Sequence, residues 1–386
     1  MSMQNKTILH IANDYAGSKV YKNLVYELDQ LEVRQVIYTA VRNKNKIGSN
    51  EINLQVKDSK TIYSVILNWH IDRVLYPLKV VKILRDIQLK VDFSQIQCIH
   101  AHTWYSDGGV AYFLSKKYNI PFIIAVRNTD INIFQGKLVY VRPFGRKIIN
   151  SASQVVIISE AYKDKLLTQK SLAKVKNNLK IKLKVIPNGV DNYWIKNRVS
   201  EKKNIGVADT VNVLYIGKFS NSKQVLSLQK AIILLNSQQK KTIKLHLVGG
   251  SGRDESAVLK LVKDYPDLMR YHGKVHDKKK LKDIFQSCNI FAMPSLKETF
   301  GLVYVEAMLQ GMPILYTEGQ GIDGFYSERI GEKVSDHSID SIKKALNTMI
   351  INLNEYAIPI DKISKSHDWE LIAKKYQKIY RDCIEK

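Results

Sequence analysis

Glu298 and Glu306 stand eight positions apart in MPSLKETFGLVYVEAMLQGMPIL, a stretch whose residue types suit chemistry. The apolar run 290–294 predicts a buried strand, then a short polar loop and a helix opening near Thr299 or Phe300. Unbonded N–H groups at such a helix start suit an oxyanion such as phosphate. Glu298 precedes the helix and Glu306 lies two turns into it, so both can face one cleft at different depths. The same spacing also fits an acid on the helix dipole and a second, solvated helix acid. A second polar turn follows the predicted strand 211–216. There Gly217 permits a tight turn at a strand's carboxyl end, where α/β folds bind ligands, and Lys218 and Lys223 are spaced to reach one diphosphate. The plainer reading of these two is a pair of exposed turn lysines in a lysine-rich chain.

The elements that must position these residues alternate along the whole sequence. Strand-length apolar runs fall at 7–12, 33–38, 52–56, 96–100, 121–126, 154–158 and 184–186, then at 211–216, 244–248, 270–272, 290–293 and 313–316. Helix-length amphipathic segments separate them, which predicts an α/β fold with parallel sheets. The polar connector 197–210 carries no apolar pattern, so a domain boundary is expected near 191–210. A closing helix is predicted from 368 to about 386.

Further polar groups cluster at predicted strand ends. LHLVGGSG, containing Gly249, is a strand and a glycine turn, but it lacks the spacing of a dinucleotide fingerprint. EGQGIDG, containing Gly321, is a glycine-rich loop after a strong strand. In the first half, IHAHTWY places His100 and His102 at one strand end, and AVRNTD places Arg127 and Asp130 at the next. His100 and His102 alone offer no third ligand nearby in sequence, so no metal site is expected. His102 either lines a site or is a buried polar residue. Gly17 and Ser18 follow the first strand at its mouth. No P-loop, G-x-S-x-G or H-E-x-x-H motif occurs.

The order strand, Pro-Ser, Glu298, Phe300-Gly301, Glu306 and Gly-Met-Pro-Ile resembles the donor site of the retaining glycosyltransferases of family four, which have the GT-B fold. The resemblance implies two Rossmann-like parallel-sheet domains facing a central cleft. It gives an acceptor-binding domain over 1–195, a nucleotide-sugar domain over 196–366, and a helix over 367–386 packing back on the first domain. It implies that Glu298 contacts the donor sugar hydroxyls and Glu306 the ribose, while the amides of Phe300, Gly301 and Leu302 meet the diphosphate. Lys218 and Lys223 would neutralise the leaving diphosphate, with Lys218 standing where the family has arginine. Gly217, Gly249 and Gly321 would border the donor. Arg127 stands where the family has histidine, Asp130 matches the pattern, and Gly17 and Ser18 resemble a shortened acceptor loop. The implied activity is transfer of a hexose-type sugar from a nucleoside diphosphate donor. No Asp-x-Asp motif is present, so metal-independent chemistry without a cofactor is expected.

Composition narrows the setting. A chain of 386 residues is long for one core, and its three scattered cysteines suggest a reducing compartment. The N-terminus carries neither a signal-peptide nor an anchor pattern, and no apolar stretch reaches the roughly 18–20 residues of a membrane span. Sixty lysines and arginines against 36 acids give a net charge of +24, which calls for a polyanionic partner. No nucleic-acid module accompanies it. Basic residues gather over 59–90, with Tyr63, Trp69 and Tyr76 among them, and over 163–184. The expected partners are therefore a nucleotide sugar, a glycan acceptor of lipid-linked type, and the anionic inner face of the cytoplasmic membrane. The rival readings are a nucleotide-sugar epimerase of the same fold and a non-catalytic membrane-binding subunit.

Overall fold

The computed structural model describes residues 6–68, 72, 75–201, 210–238 and 241–385, and the chain divides into two compact units. The first comprises Met1–Ile158, Lys163–Asn188 and Trp369–Lys386, and the second Ser159–Tyr162 and Gly189–Asp368.

The first unit is built on β1 (Thr7–Ile11), β2 (Arg34–Val41), β3 (Lys60–Val65), β4 (Ile96–Ala101), β5 (Phe122–Val126), β6 (Gln154–Ile157) and β7 (Leu183–Val185). They form one parallel sheet in the order β3-β2-β1-β4-β5-β6-β7. Every residue of β1 and β5 is buried, as a sheet covered on both faces requires, so these strands read as unbroken apolar runs. Helix Lys19–Gln30 turns Tyr21, Leu24, Val25 and Leu28 inward at helical spacing. Helix Trp369–Ile384 buries Trp369, Ile372, Ala373, Tyr376, Ile379, Tyr380 and Cys383 in the same core as Ile8, Leu24, Leu28 and Cys98. Its Cys383 Sγ lies 3.4 Å from Cys98 Sγ.

The second unit holds β8 (Thr210–Gly217), β9 (Thr242–Gly249), β10 (Met269–Tyr271), β11 (Ile290–Ala292), β12 (Ile314–Thr317) and β13 (Gly331–Val334), parallel in the order β10-β9-β8-β11-β12-β13. In each sheet the strand order reverses beside a central pair, β1 with β4 and β8 with β11. The loops leaving the carboxyl ends of such a pair diverge and open a crevice.

Three local expectations are corrected. Residues 52–56 form no strand, because the edge of β2 pairs with β3 and the amides of Gln55 and Val56 donate to the Asp29 carboxylate at 2.8 and 3.1 Å. Strand β13 was not foreseen, since Gly-Glu-Lys-Val has no apolar run. Gly331 is needed there, as a Cβ would stand 1.8 Å from the Ile314 carbonyl oxygen. The helix expected from Thr299 or Phe300 begins at Leu302, after Gly301 turns the chain at φ +78°. Helix Asn192–Lys196 belongs to the second unit, where Trp194 packs edge-on against Phe285. No helix among the described residues is long and apolar enough to cross a membrane.

Candidate active site

In the second unit two loops lie in backbone contact because glycine permits it. A Cβ on Gly249, at φ +127°, would stand 2.0 Å from the Gly217 carbonyl oxygen, and one on Gly252 would stand 1.6 Å from that of Phe219. The resulting approach is tied by Asp254 N donating to Phe219 O at 3.0 Å and Gly250 N to Gly217 O at 3.3 Å. Tyr215 Oη donates to Lys218 O at 2.8 Å, and the buried Phe219 anchors the turn that ends in Lys223. Lys218 itself is exposed and makes no ion pair among the described residues.

The loop after β11 meets this turn. Leu296 N donates to Ser222 O at 2.9 Å, which sets the Glu298 carboxylate against Lys223, and Lys223 Nζ donates to Glu298 Oε2 at 2.5 Å. The other oxygen, Oε1, accepts from Thr299 N at 3.1 Å. The loop after β12 closes the third side, with Gly321 N donating to Glu298 O at 3.1 Å. Gly321 sits at φ +49°, where a Cβ would stand 2.8 Å from Phe300 O. Glu298, Lys223 and Gly321 thus come together from three strand ends. Phe300 is buried against Phe325 and His367, so it offers its backbone rather than its ring. Leu302 starts the helix, and Tyr304 Oη donates to Met293 O to fix it on β11.

Glu306 is partly buried on that helix, and its carboxylate makes no hydrogen bond among the described residues. Burial, and then the nearby Asp191 carboxylate, push it up to about 7 against the opposing charge of Lys278. Asp191 accepts from Lys278 Nζ at 2.5 Å and caps its own helix by accepting from Tyr193 N at 2.9 Å. Neither Asp191 nor Lys278 was nominated from sequence. Asp191 lies in a segment that a turn explains, and Lys278 opens a run of three lysines with nothing to distinguish it.

The first unit arranges its residues differently. Asp130 is buried and accepts from the amides of Arg127, Tyr105 and Trp104 at 2.9, 3.0 and 3.1 Å. It therefore fastens the loop after β4 to the loop after β5. Burial pushes its carboxyl up to about 6, opposed by those three amides. Arg127 donates from Nε to His102 O at 3.2 Å and lays its guanidinium over the Tyr21 ring, 5.5 Å from the centroid. Gly17 is exposed after a single turn, and Ser18 precedes helix Lys19–Gln30 without a side-chain capping bond.

His102 is buried rather than lining a surface, and the expectation that no third histidine lies in reach is overturned. His10 on β1 pairs in register with His100, and its Nδ1 shares a hydrogen bond with His102 Nε2 at 3.0 Å. His100 Nδ1 bonds the Tyr380 hydroxyl at 2.8 Å and stacks on His102 with ring centroids 3.9 Å apart. One ring nitrogen of each lies within 4.8 Å of the others, so by spacing this trio is a group that a metal ion would fit. His102 stacks on both His10 and His100, with ring planes 27° and 26° apart, while His10 and His100 are tilted by 51°. Stacked rings suit a neutral cluster better than convergent ligands, because ring lone pairs lie in the ring planes. Burial holds all three well below the ordinary histidine range, His10 at about 3. In the same unit Asp107, also missed from sequence, accepts from Asn13 Nδ2 at 2.6 Å, and burial pushes it up to about 7.

Comparison with known proteins matches both halves. The family model Glycosyltransferase Family 4 matches residues 18–192, and Glycosyl transferases group 1 matches residues 196–366. A D-inositol 3-phosphate glycosyltransferase of Corynebacterium urealyticum is 25% identical over 322 residues, covering 73% of this chain and 70% of the relative. Among solved structures, the sucrose-phosphate synthase of Thermosynechococcus elongatus superposes with a TM-score of 0.73 at 20% identity, covering 97% of this chain and 98% of the other. HepE of Anabaena, solved with UDP and glucose, gives 0.64 at 17% identity over 97% and 99%. The lipopolysaccharide outer core galactosyltransferase WaaB gives 0.67 at 15% identity over 97% and 98%. These structural likenesses bear on the fold.

The histidine trio sets an acid limit on stability. Each histidine is neutral when folded and free to protonate near pH 6.5 when unfolded. Its full contribution is therefore present above pH 6.5 and is lost as pH falls toward the depressed folded value. Each should remove about 1.4 kcal/mol per pH unit over that window. Urea unfolding of the first unit between pH 7 and pH 4.5 measures the slope, and His10→Gln should flatten it. A slope that His10→Gln leaves unchanged would show that His10 is not held neutral by the fold.

Proposed function

This chain belongs to the family-four glycosyltransferases of GT-B fold, and on that premise we propose a specific reaction for it. It moves a hexose-type sugar, with retention of anomeric configuration, from a nucleoside diphosphate sugar onto a lipid-linked glycan of bacterial surface polysaccharide synthesis. The observation that carries this reading is the Lys223–Glu298 pair, held beside Gly321 and the start of helix Leu302–Leu309. Glu298 accepts hydrogen bonds from the sugar hydroxyls, and Lys223, with Lys218 behind it, takes the charge that develops on the diphosphate. The amides at Phe300, Gly301 and Leu302 meet the same oxyanion. Glu306 accepts from the ribose hydroxyls.

In the step proposed, the bond from the sugar C1 to the diphosphate oxygen breaks while the acceptor oxygen bonds C1 on the same face. The acceptor proton passes to the departing diphosphate. Lysine and amide charge replaces a metal clamp, so the chemistry needs no cation. HepE, crystallised with UDP and glucose, supports a nucleotide-sugar donor, and WaaB, which builds a lipopolysaccharide core, supports a glycolipid acceptor. The net charge of +24 supports a place at the anionic inner leaflet of the cytoplasmic membrane.

A thermal-shift screen of nucleotide sugars, followed by product NMR with the best donor, tests the reading. Stabilisation by none of them would overturn it, and an inverted product would overturn retention. Within that assay Lys223→Ala should lower turnover by roughly 10²–10³-fold, the scale of one transition-state charge donor. Normal turnover would place the diphosphate elsewhere.

Because Glu306 ionises near pH 7 and ribose hydroxyls donate to its charged form, donor binding should expel a proton. Donor affinity should then be flat above pH 7 and weaken about tenfold per unit below it. Glu306→Gln should remove that dependence. A profile identical in the two proteins would detach Glu306 from the ribose.

Chelation with EDTA should leave turnover unchanged. Loss of activity restored by Mg²⁺ or Mn²⁺ would refute the metal-free step.

A further inference from the structure

Helix Tyr76–Lys90 is apolar on two sides. Its inner face buries Tyr76, Val80, Ile83 and Ile87, as expected of a helix on a sheet. Its outer face also carries Leu78 and Val81, exposed by 50% and 39%. Beside it, helix Ser106–Tyr118 exposes Phe113 by 41%, and the segment leading into helix Arg142–Ser151 exposes Tyr140 by 58%. Together these elements frame an open groove of about 260 Å³, with Pro77, Val81, Phe113, Tyr140 and Phe144 along it and Tyr76 in its floor. Phe113 and Phe144 stack with centroids 5.6 Å apart, and Phe144 meets Tyr76 at 6.3 Å, so the aromatic wall is preformed. Contiguous apolar exposure of this kind marks an interaction surface.

The charge around the groove has one sign. From Ser106 to Ser151 there are seven lysines and arginines and two acids, Asp107 and Asp130, both buried. On helix Tyr76–Lys90 the single acid, Asp86, is turned inward to Tyr38 and Ser64. Four of the apolar residues have an exposed cation within about one turn: Arg85 beside Val81, Lys116 and Lys117 beside Phe113, Lys137 beside Tyr140, and Lys147 beside Phe144. Lys82, one turn on from Leu78, is partly exposed and paired with Asp72. Lys116 Nζ lies 5.3 Å over the Tyr112 ring, which in turn meets Phe144. An apolar centre with aromatic residues and a cationic rim complements an anionic bilayer, whose headgroups neutralise the rim while the acyl boundary accepts the centre.

We propose that this face of the first unit is its membrane-docking surface, with Leu78, Val81, Phe113 and Tyr140 entering the headgroup–acyl boundary of an anionic leaflet. The proposal rests on the reading of a lipid-linked acceptor, to which it gives a physical address. It keeps Leu78, Val81 and Arg85 of the segment 59–90 that the sequence nominates, but with other aromatic residues. Tyr76 is the floor of the groove, Tyr63 is tied to Ser49 O at 2.8 Å, and Trp69 lies outside the described residues. The lysines of 163–184 have Ile181 as their large exposed apolar residue and form no comparable apolar centre among the described residues.

Flotation with phosphatidylcholine vesicles, with and without roughly one-third phosphatidylglycerol, tests this on the full chain. The wild type should float with the anionic vesicles only, and less so at about 0.5 M salt. Phe113→Glu combined with Tyr140→Glu should reduce binding at least about tenfold. Lys176→Glu combined with Lys180→Glu should reduce it no more than twofold. Circular dichroism and thermal stabilisation by a nucleotide sugar should be unchanged in both variants, which separates this surface from the donor site. The proposal is overturned if the Phe113/Tyr140 variant floats like the wild type, or if the wild type binds neutral vesicles equally well. It also falls if the lysine variant is the one that lets go, or if the Phe113/Tyr140 change only converts a dimer to a monomer in sedimentation. Failure of every nucleotide sugar to bind, with flotation as expected, would count against the donor reading and leave this one standing.

Discussion

Two backbone carbonyls that tolerate no methyl group beside them govern the second unit. Phe219 O and Gly217 O, at the end of β8, stand so close to the turn after β9 that only hydrogen atoms fit at Gly252 and Gly249. That approach holds the β8 turn on one side, and the bond from Leu296 N to Ser222 O holds it on the other. Lys223 therefore arrives at Glu298 as the end product of backbone packing, with no long search by a flexible side chain. Gly321 repeats the device against Phe300 O. Three loops that would be mobile singly are thus made into one rigid mount, and a site that stabilises charge works only if its donors need no reorganisation.

The two units handle buried charge in opposite ways. In the first, Asp130 has its carboxylate filled by three amides, and the three histidines are kept neutral by burial. These groups hold strand ends in place. In the second, Lys223 and Glu298 share one short contact, while Glu306 has no hydrogen-bond partner among the described residues and is poised near neutral pH. Glu306 thus keeps its bonding capacity open on the helix that follows β11. The cost of holding Glu306 there is moderated by Lys278, which is itself shared with Asp191.

The two parallel sheets were legible because strands buried on both faces leave unbroken apolar runs that no surface strand would show. Strand β13 was not, since its place is secured by Gly331 passing close to Ile314 and not by apolar side chains. The false strand at 52–56 has the right apolar content, but its amides are claimed by Asp29, a partner distant in sequence. The site was partly legible. Glu298 and Lys223 were each nominated from their own motif and through the family resemblance. Their contact spans 75 positions and depends on loop packing that no local pattern encodes. His10 was passed over for the same reason, because only the register of β1 on β4 brings it to His100 and His102.

The helix Trp369–Ile384 has a consequence for how the molecule is made. It supplies Trp369, Ile372, Ala373, Tyr376, Ile379, Tyr380 and Cys383 to a core whose other buried members lie between Ile8 and Ile186. A ribosome synthesises the chain from its first residue onward, so the entire second unit emerges before that core receives its last side. The first unit must wait as an incompletely closed intermediate with apolar surface uncovered, at high contact order and exposed to aggregation. The second unit, contiguous from Gly189 to Asp368 but for four residues, carries no such delay. Chaperone demand and sensitivity to translation pauses should therefore fall on the half of the protein that is translated first and finished last.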